Sequence, residues 1–119
     1  MPVNQVRRNG SYAPLSAHYY KDDGLIEAGE KAELLFVRGL AFCAEVLSDG
    51  FISDAQLTRF VGAGLAGARA RAERLLQVGL WERDDDAGGY RIRSWAKWNL
   101  SRDEIAARQR KDSARKAAQ

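Results

Sequence analysis

Residues 51–93 read FISDAQLTRFVGAGLAGARARAERLLQVGLWERDDDAGGYRIR, and the order of signals in this stretch decides the fold. A short capped helix over 53–61 comes first, followed by a glycine-rich turn and an arginine-rich helix that ends at Gly79. Two short runs of alternating character, 80–83 and 90–93, then flank an Asp-Asp-Asp-Ala-Gly-Gly loop. The stretch therefore predicts a helix, a tight turn, a second helix and a two-stranded hairpin.

The first of these helices has a clear start signal. Ser53 is a favourable N-cap and Gln56 follows three residues later, so the two can form a capping box. An apolar stripe at helical spacing is then expected to face the core: Leu57, Phe60 and Val61. Three glycines supply the backbone freedom that a sharp turn between helices requires: Gly62, Gly64 and Gly67.

The second helix combines a buried face with a cationic one. At 3.6 residues per turn, its apolar side collects Ala68, Ala72, Leu75 and Leu76, which we expect to pack on the core. Small residues on the other side would let the helix approach base edges, and arginines can bind guanine bidentately or clamp phosphates. The first turn also offers backbone N–H donors to a phosphate.

We therefore expect the outward side of this unit to bind DNA. The candidate DNA-binding residues in and before the second helix are Arg59, Gly67, Arg69, Ala70, Arg71, Arg74 and Gln77. The alternative is a solvated face, on which Arg69 or Arg74 pairs with a nearby glutamate, Glu73 or Glu82.

The hairpin carries charge of both signs. Tyr90 and Ile92 alternate with Arg91 and Arg93, so one face packs and the other is positive. We expect Arg91 and Arg93 to contact phosphates. The loop holds three carboxylates at positions 84–86, which a phosphate backbone would repel. Either the sides of the hairpin touch DNA, or the acidic tip meets a protein partner.

Length and charge bound the class of protein. With 119 residues and 45% hydrophobic content, the chain can bury one modest core. Its net charge is +3, but residues 1–56 hold 5 basic and 8 acidic side chains, whereas 57–119 hold 14 and 8. The basic excess thus begins within the predicted helix-turn-helix segment, where a local cationic field suits phosphate binding. A solvated surface would also account for this excess.

We divide the chain into a flexible leader (1–14), a folded domain (15–100) and a basic C-terminal helix or tail (101–119). The longest apolar helix, 30–47, is expected to be mostly buried. A short helix over 15–26, with a turn at its Asp-Asp-Gly, is expected to pack on the core.

Two tryptophans and several cations follow the hairpin. We expect Trp95 and Trp98 to cap the core rather than to stack on bases. In the tail, Arg108, Arg110 and Lys111 are placed to track a phosphate backbone, or else to begin a solvated linker.

No residue pattern indicates an enzyme, a metal or a cofactor. The one histidine, His18, has no matching cluster of ligands. The one cysteine, Cys43, lies in an apolar run, which excludes an internal disulfide and suits a reducing compartment. Adjacent carboxylates at 84–86 sit on a loop, which positions them poorly for acid–base chemistry. Because no stretch approaches the roughly 20 apolar residues of a membrane span, we expect a cytoplasmic protein without membrane contact.

Four segments carry a resemblance: DGFI (49–52), LLQVGLW (75–81), GYRI (89–92) and WAKWNLSR (95–102). Through them, residues 35–110 resemble the winged-helix DNA-binding domains at the N-termini of phage replication initiators and replisome organisers, above all those of actinobacterial phages and integrated elements. The resemblance implies a winged helix-turn-helix fold, mainly α with a small β wing. It also implies an origin-binding module whose C-terminal region recruits replication partners.

Two functions are compatible with these patterns. The first is sequence-specific binding of double-stranded DNA, in replication initiation or transcription control of a phage or mobile element. Pairing as a homodimer to read inverted half-sites is left open, as is contact with a replication or transcription protein. The second is a winged-helix adaptor that binds protein through the acidic tip or the two tryptophans, without reading DNA.

Overall fold

The computed structural model describes residues 15, 17–93, 95, 110–111 and 114–115. Within them the chain is mostly helical and carries a small three-stranded antiparallel sheet, the α+β composition that the sequence predicts. A 3-10 turn (Tyr19–Lys21) precedes α1 (Asp23–Ala28), α2 (Glu30–Val46) and β1 (Phe51–Ser53). Then follow α3 (Asp54–Gln56), a π-helical turn (Leu57–Val61), α4 (Ala68–Gln77), β2 (Trp81–Asp84) and β3 (Gly89–Ile92).

The start of α1 corrects the expectation of a turn at Asp22-Asp23-Gly24. Asp22 is instead the N-cap of α1, and its Oδ1 accepts a hydrogen bond from the Leu25 N–H at 3.0 Å. An Asp side chain satisfies one of the unpaired N–H groups of a first helical turn in this way. Leu25 then points into the core, where it is almost fully buried.

Helix α2 forms the centre of the fold, but it is not mostly buried as expected. One face is in the core: Ala32, Leu35, Phe36, Gly39, Leu40 and Cys43. The other face is open to solvent, and Leu34 and Val46 remain 46% and 45% exposed. The reason is that the sheet and α4 cover only one side of the helix. At Gly39 the packing is close, since a Cβ there would lie 3.0 Å from the Trp81 ring.

The sheet has the strand order β1-β3-β2. The predicted hairpin is confirmed, with Trp81 opposite Ile92 and Arg83 opposite Tyr90. Strand β1 is an addition that the sequence pattern does not predict, because it is only three residues long. It pairs with β3 antiparallel, Ile52 opposite Tyr90, and buries Ile52 completely.

The predicted capping box opens α3 and is confirmed. The Gln56 N–H donates to Ser53 Oγ at 3.1 Å, and the Ser53 N–H donates to Gln56 Oε1 at 2.9 Å. The expected inward stripe is only partly correct: Leu57 and Val61 are buried, whereas Phe60 is 59% exposed. The wider π turn, closed by a bond from the Gly62 N–H to the Leu57 carbonyl, rotates Phe60 away from the core.

The glycines between the helices are required for different physical reasons. Gly64 and Gly67 have φ of 79° and 64°, as a sharp turn requires. Gly62 has φ of −96° and is needed for close approach, because a Cβ there would lie 2.6 Å from the Ala68 Cβ. The turn between the π turn and α4 thus depends on both backbone conformation and packing.

The end of α4 and the position of Trp95 agree with the sequence-based expectations. Gly79, at φ 79°, follows the helix as its C′ residue, and the Leu80 N–H donates back to the Leu75 carbonyl. Trp95 is 8% exposed and packs over Gly50, which confirms its place in the core. Trp98, the leader (1–14) and residues 101–109 of the tail lie outside the described residues.

Candidate nucleic-acid interface

Helix α4 presents its apolar side to the core as predicted. Ala72 and Leu75 are fully buried, and Leu76 is partly buried against the same cluster. The remaining positions divide into a flank that faces α1 and α2, a flank that faces the hairpin, and an outward side. The arginines of this helix lie on different flanks and therefore have different partners.

Arg71 and Arg74 occupy the flank that faces the junction of α1 and α2. Arg71 donates from Nε to the Ala66 carbonyl at 2.9 Å and from Nη1 to the Lys31 carbonyl at 3.2 Å. Arg74 donates from Nη2 to the Glu27 carbonyl at 2.8 Å. Both guanidinium groups therefore hold α4 against backbone carbonyls of the preceding helices.

The Arg74 bonds have a clear physical role. Glu27 lies in the last turn of α1, where backbone carbonyls have no partner within the helix. A cation at that position also suits the helix dipole. The second bond of Arg74, from Nη1 to Gln77 Oε1 at 3.0 Å, engages another predicted DNA-binding side chain. Arg74 and Gln77 are thus brought together.

Arg69 lies on the flank that faces the hairpin. It is exposed, and among the described residues it has no hydrogen bond or ion pair. With Glu73, Arg83 and Tyr90 it lines an open groove of about 220 Å³ between α4 and the hairpin. Glu73 is also exposed, and within the same part of the chain Arg69 and Glu73 form no ion pair. The solvated pairing of Arg69 with Glu73, considered above, is therefore not formed.

The entrance to α4 is open on its outward side. Gly67 is the N-cap in a left-handed conformation and has no side chain to bond the free N–H groups of the first turn. Gly67 and Ala70 are both exposed and small. Arg59, on the π turn, is exposed as well and makes no hydrogen bond within the described residues. Backbone donors, small side chains and two cations without ion-pair partners in the described chain are thus available on this unit.

The hairpin arginines are engaged in ion pairs. Arg91 Nε binds Asp84 Oδ2 at 2.9 Å, and Arg93 Nε binds Glu82 Oε1 at 3.3 Å. The Arg91 guanidinium also lies 4.9 Å from the centroid of the Phe51 ring. Exposed ion pairs of this kind contribute little free energy, so they can be exchanged for phosphate contacts at small cost.

Arg83 connects the hairpin to the start of α3, a role that the sequence did not suggest. It binds Asp54 with two bonds, from Nη1 to Oδ1 at 2.6 Å and from Nη2 to Oδ2 at 3.0 Å. Arg83 also donates to Asp85 at 2.9 Å and lies over the Tyr90 ring. The hydrogen bonds from Arg83 lower the pKa of Asp54 below its usual value. The sequence signal is weak: Arg83 is the one cation among the acidic residues of 82–86.

The acidic tip of the hairpin is largely neutralised by these contacts. The Ala87 N–H and then Arg91 lower the pKa of Asp84, and Asp85 is paired with Arg83. Asp86 is exposed and has no ion-pair partner in the described part of the chain. The tip therefore repels phosphate less than three consecutive carboxylates would. For the same reason it offers a protein partner less negative charge to bind.

An aromatic pair lies outside every predicted site, with Phe60 exposed and Phe42 partly buried against the core. Phe42 on α2 and Phe60 on the π turn stack with ring centroids 6.1 Å apart and an interplanar angle of 14°. Arg38 Nη2 donates to the Phe60 carbonyl at 3.3 Å, at the edge of this pair. The sequence placed Phe60 in the core, so no signal indicated this surface.

Cys43 has the environment of a packing residue. It is fully buried, and burial raises the pKa of its thiol to about 11. The Sγ atom lies 3.6 Å from the Phe51 carbonyl oxygen. In the described ranges no three His, Cys, Asp or Glu side chains are grouped so that they could hold a metal ion. Nor does any helix there have the length and apolar character needed to cross a membrane.

The predicted cations of the tail are only partly described. Arg110 and Lys111 are exposed and helical, and Arg108 lies outside the described residues. Comparisons with protein-family models, with curated proteins and with solved structures give no match to this chain.

Proposed function

We propose that this chain is a winged helix-turn-helix protein that binds double-stranded DNA sequence-specifically, with α4 as the reading helix. The order of elements supports this proposal: a helix, β1, α3 with its π turn, a tight turn, α4, and then the hairpin β2–β3. In the helix-turn-helix class, the second helix of the unit lies in the major groove and its N-terminal residues contact base edges.

The observation that carries the proposal is the exposed start of α4. Arg69 has free donors, Gly67 and Ala70 add no bulk, and the first-turn N–H groups have no side-chain cap. A cation beside such a helix start can bind a phosphate or a guanine edge. Residues 53–79 carry four arginines and two acidic side chains, so the unit is net positive.

The proposed interface differs from the one expected from a helical projection. Arg59, Gly67, Arg69 and Ala70 form its centre, because Arg71 and Arg74 are held by backbone carbonyls. The biological setting we propose, following the resemblance, is replication initiation or transcription control in a phage or mobile element. That role belongs in the cytoplasm, a reducing compartment that suits a single buried thiol.

A titration of labelled duplex DNA between about 50 and 200 mM salt tests the proposal. Binding should weaken linearly on a log–log plot, and Arg69→Ala should lower the affinity for a duplex at every salt concentration. Lys21→Ala removes the same charge from the 3-10 turn outside the unit and should leave the affinity unchanged. Absence of duplex binding at the lowest salt would reject the function.

The stack of exposed Phe60 on partly buried Phe42 supports a second candidate function, a winged-helix adaptor that binds protein. Large apolar groups exposed together are common at protein interfaces. If this is the main function, Phe60→Ser should abolish capture of a protein partner while Arg69→Ala leaves it intact. Duplex binding that depends on Arg69 and not on Phe60 would favour the first candidate.

A further inference from the structure

We infer that Arg69 and Glu73 are a base-reading pair for a G·C-containing site, with Arg69 on a guanine edge and Glu73 accepting from a cytosine amino group. This inference rests on the proposed function and names the residues and bases that give it specificity. It follows from how the structure divides the polar residues of α4 between its two flanks.

The other arginines of α4 are already engaged by groups of the protein. Arg71 and Arg74 donate to the carbonyls of Lys31 and Glu27, and Arg74 also holds Gln77. Among the polar side chains of α4, Arg69 and Glu73 are the two that remain without hydrogen bonds in the described chain. They are four residues apart, on the flank that faces the open groove beside the hairpin.

The negative charge of Glu73 affects which part of the DNA this groove can bind. Glu73 would repel a phosphate in this groove, and Arg83 beside it is already bound by Asp54 and Asp85, so Arg69 is the one cation left for a phosphate among the described residues that line it. In the major groove, however, the amino group of cytosine is a hydrogen-bond donor that suits a Glu side chain. Arg binds the O6 and N7 atoms of guanine bidentately, which is the commonest specific contact. A mixed pair of this kind therefore indicates base contacts rather than phosphate contacts.

The spacing of Arg69 and Glu73 along α4 matches the spacing of bases in DNA. Four residues of α-helix rise about 6 Å, and base pairs follow each other at about 3.4 Å. Two side chains one turn apart can therefore reach bases about two steps apart when the helix lies along the groove. Ala70 stands beside Arg69 on the outward side, and its small side chain leaves room for the bases to approach.

Selection of duplexes from a random pool by the whole chain and by Glu73→Ala, which removes the acceptor oxygens, tests the inference. The parent should enrich a guanine and a cytosine about two steps apart, and the variant should lose the preference at the cytosine alone. Its affinity for the parent's site should fall about 5- to 150-fold, the range for loss of one good base contact. Its affinity for an unselected duplex should rise, because the repulsion from phosphates is removed.

Two further variants make the result specific. Glu73→Asp keeps the charge but shortens the side chain, so it should lose the cytosine preference without gaining affinity for an unselected duplex. Glu45→Gln removes an equal charge from an exposed position on α2 and should select the parent's sequence.

The two proposals fail in different ways. If the parent binds no duplex, the proposed function is wrong. If the parent binds a defined sequence and Glu73→Ala selects that same sequence with equal affinity, the assignment of Glu73 is wrong while the function stands.

Discussion

At the scale of the residue, the position of an arginine around α4 determines whether it bonds to the protein or faces solvent. Arg69, Arg71 and Arg74 share one short helix, yet only Arg69 is left without a hydrogen bond in the described chain. A guanidinium group has five donors, so one that faces a neighbouring helix end readily satisfies carbonyls there. The cationic character of the helix is thus divided between holding the fold and facing a ligand.

This division predicts unequal effects of the two arginines on stability. Arg74→Ala should lower the free energy of unfolding by about 1 kcal/mol, because it removes the bond to the Glu27 carbonyl in the last turn of α1. Arg69→Ala should change it by no more than about 0.5 kcal/mol. Urea unfolding of the two variants measures both values, and equal effects would contradict the division.

The thiol of Cys43 offers a second test at this scale. Because burial raises its pKa to about 11, little thiolate exists at pH 8 and access is closed. We expect a thiol reagent to label the folded protein orders of magnitude more slowly than the urea-unfolded chain. Rapid labelling of the native protein at pH 8 would show that the core around α2 opens freely.

At the scale of the element, the approach of the π turn to α4 sets the geometry of the candidate interface. Gly62 makes this approach possible, since a Cβ there would lie 2.6 Å from the Ala68 Cβ and 2.8 Å from the Leu57 carbonyl oxygen. Its φ of −96° is open to any residue, so the cost of a larger side chain is steric.

Gly62→Ala should therefore destabilise the protein by roughly 1–3 kcal/mol through overpacking. Ala68→Gly in the same chain removes one of the clashing atoms and should restore part of the loss. A double-mutant cycle measures this coupling, which we expect to reach at least about 0.5 kcal/mol. The matched pair of Gly64→Ala with Ala68→Gly should show none, because a Cβ on Gly64 meets no atom within 4 Å.

The link between the hairpin and α3 predicts a dependence of stability on pH. Arg83 lowers the pKa of Asp54, and the Ala87 N–H and Arg91 lower the pKa of Asp84. A lowered folded-state pKa means that the stabilisation is complete above the unfolded value and is lost as pH falls through the folded one. The free energy of unfolding should therefore decrease below about pH 4.

Asp54→Asn should flatten part of that decrease, because the group that titrates at the end of β1 is gone. Glu45→Gln, exposed on α2, is the comparison variant, and its acid profile should follow the parent's. If Asp54→Asn and the parent lose stability in parallel below pH 4, the Asp54–Arg83 bond has no role in it.

At the scale of the whole molecule, local signals were predictable and distant partners were not. The capping box at Ser53 and the C′ glycine at Gly79 depend on backbone groups a few residues away, so the sequence contains what is needed to place them. The bond from Arg71 to Lys31 spans 40 residues, and a helical projection carries no information about it. The same holds for β1, a strand defined by its pairing with β3.

The sequence thus predicted what kind of surface the candidate site has, but it did not predict which residues form that surface. The cationic turn-and-helix unit is visible in the sequence, whereas the withdrawal of Arg71 and Arg74 from its outward side depends on tertiary packing. Phe60 was placed wrongly for a related reason: the π turn forms where Gly62 meets Ala68, and it changes which residues face inward.

The described residues therefore offer two candidate binding surfaces, the start of α4 and the Phe42–Phe60 stack, of which Phe60 is the exposed ring. The most direct test of the central claim follows backbone amide resonances as a duplex pool is added at low salt. We predict that amides over residues 67–73 shift first and that the Arg69→Ala variant loses these shifts. Shifts confined to Phe42, Phe60 and their neighbours, with α4 unchanged, would contradict the claim that α4 binds DNA.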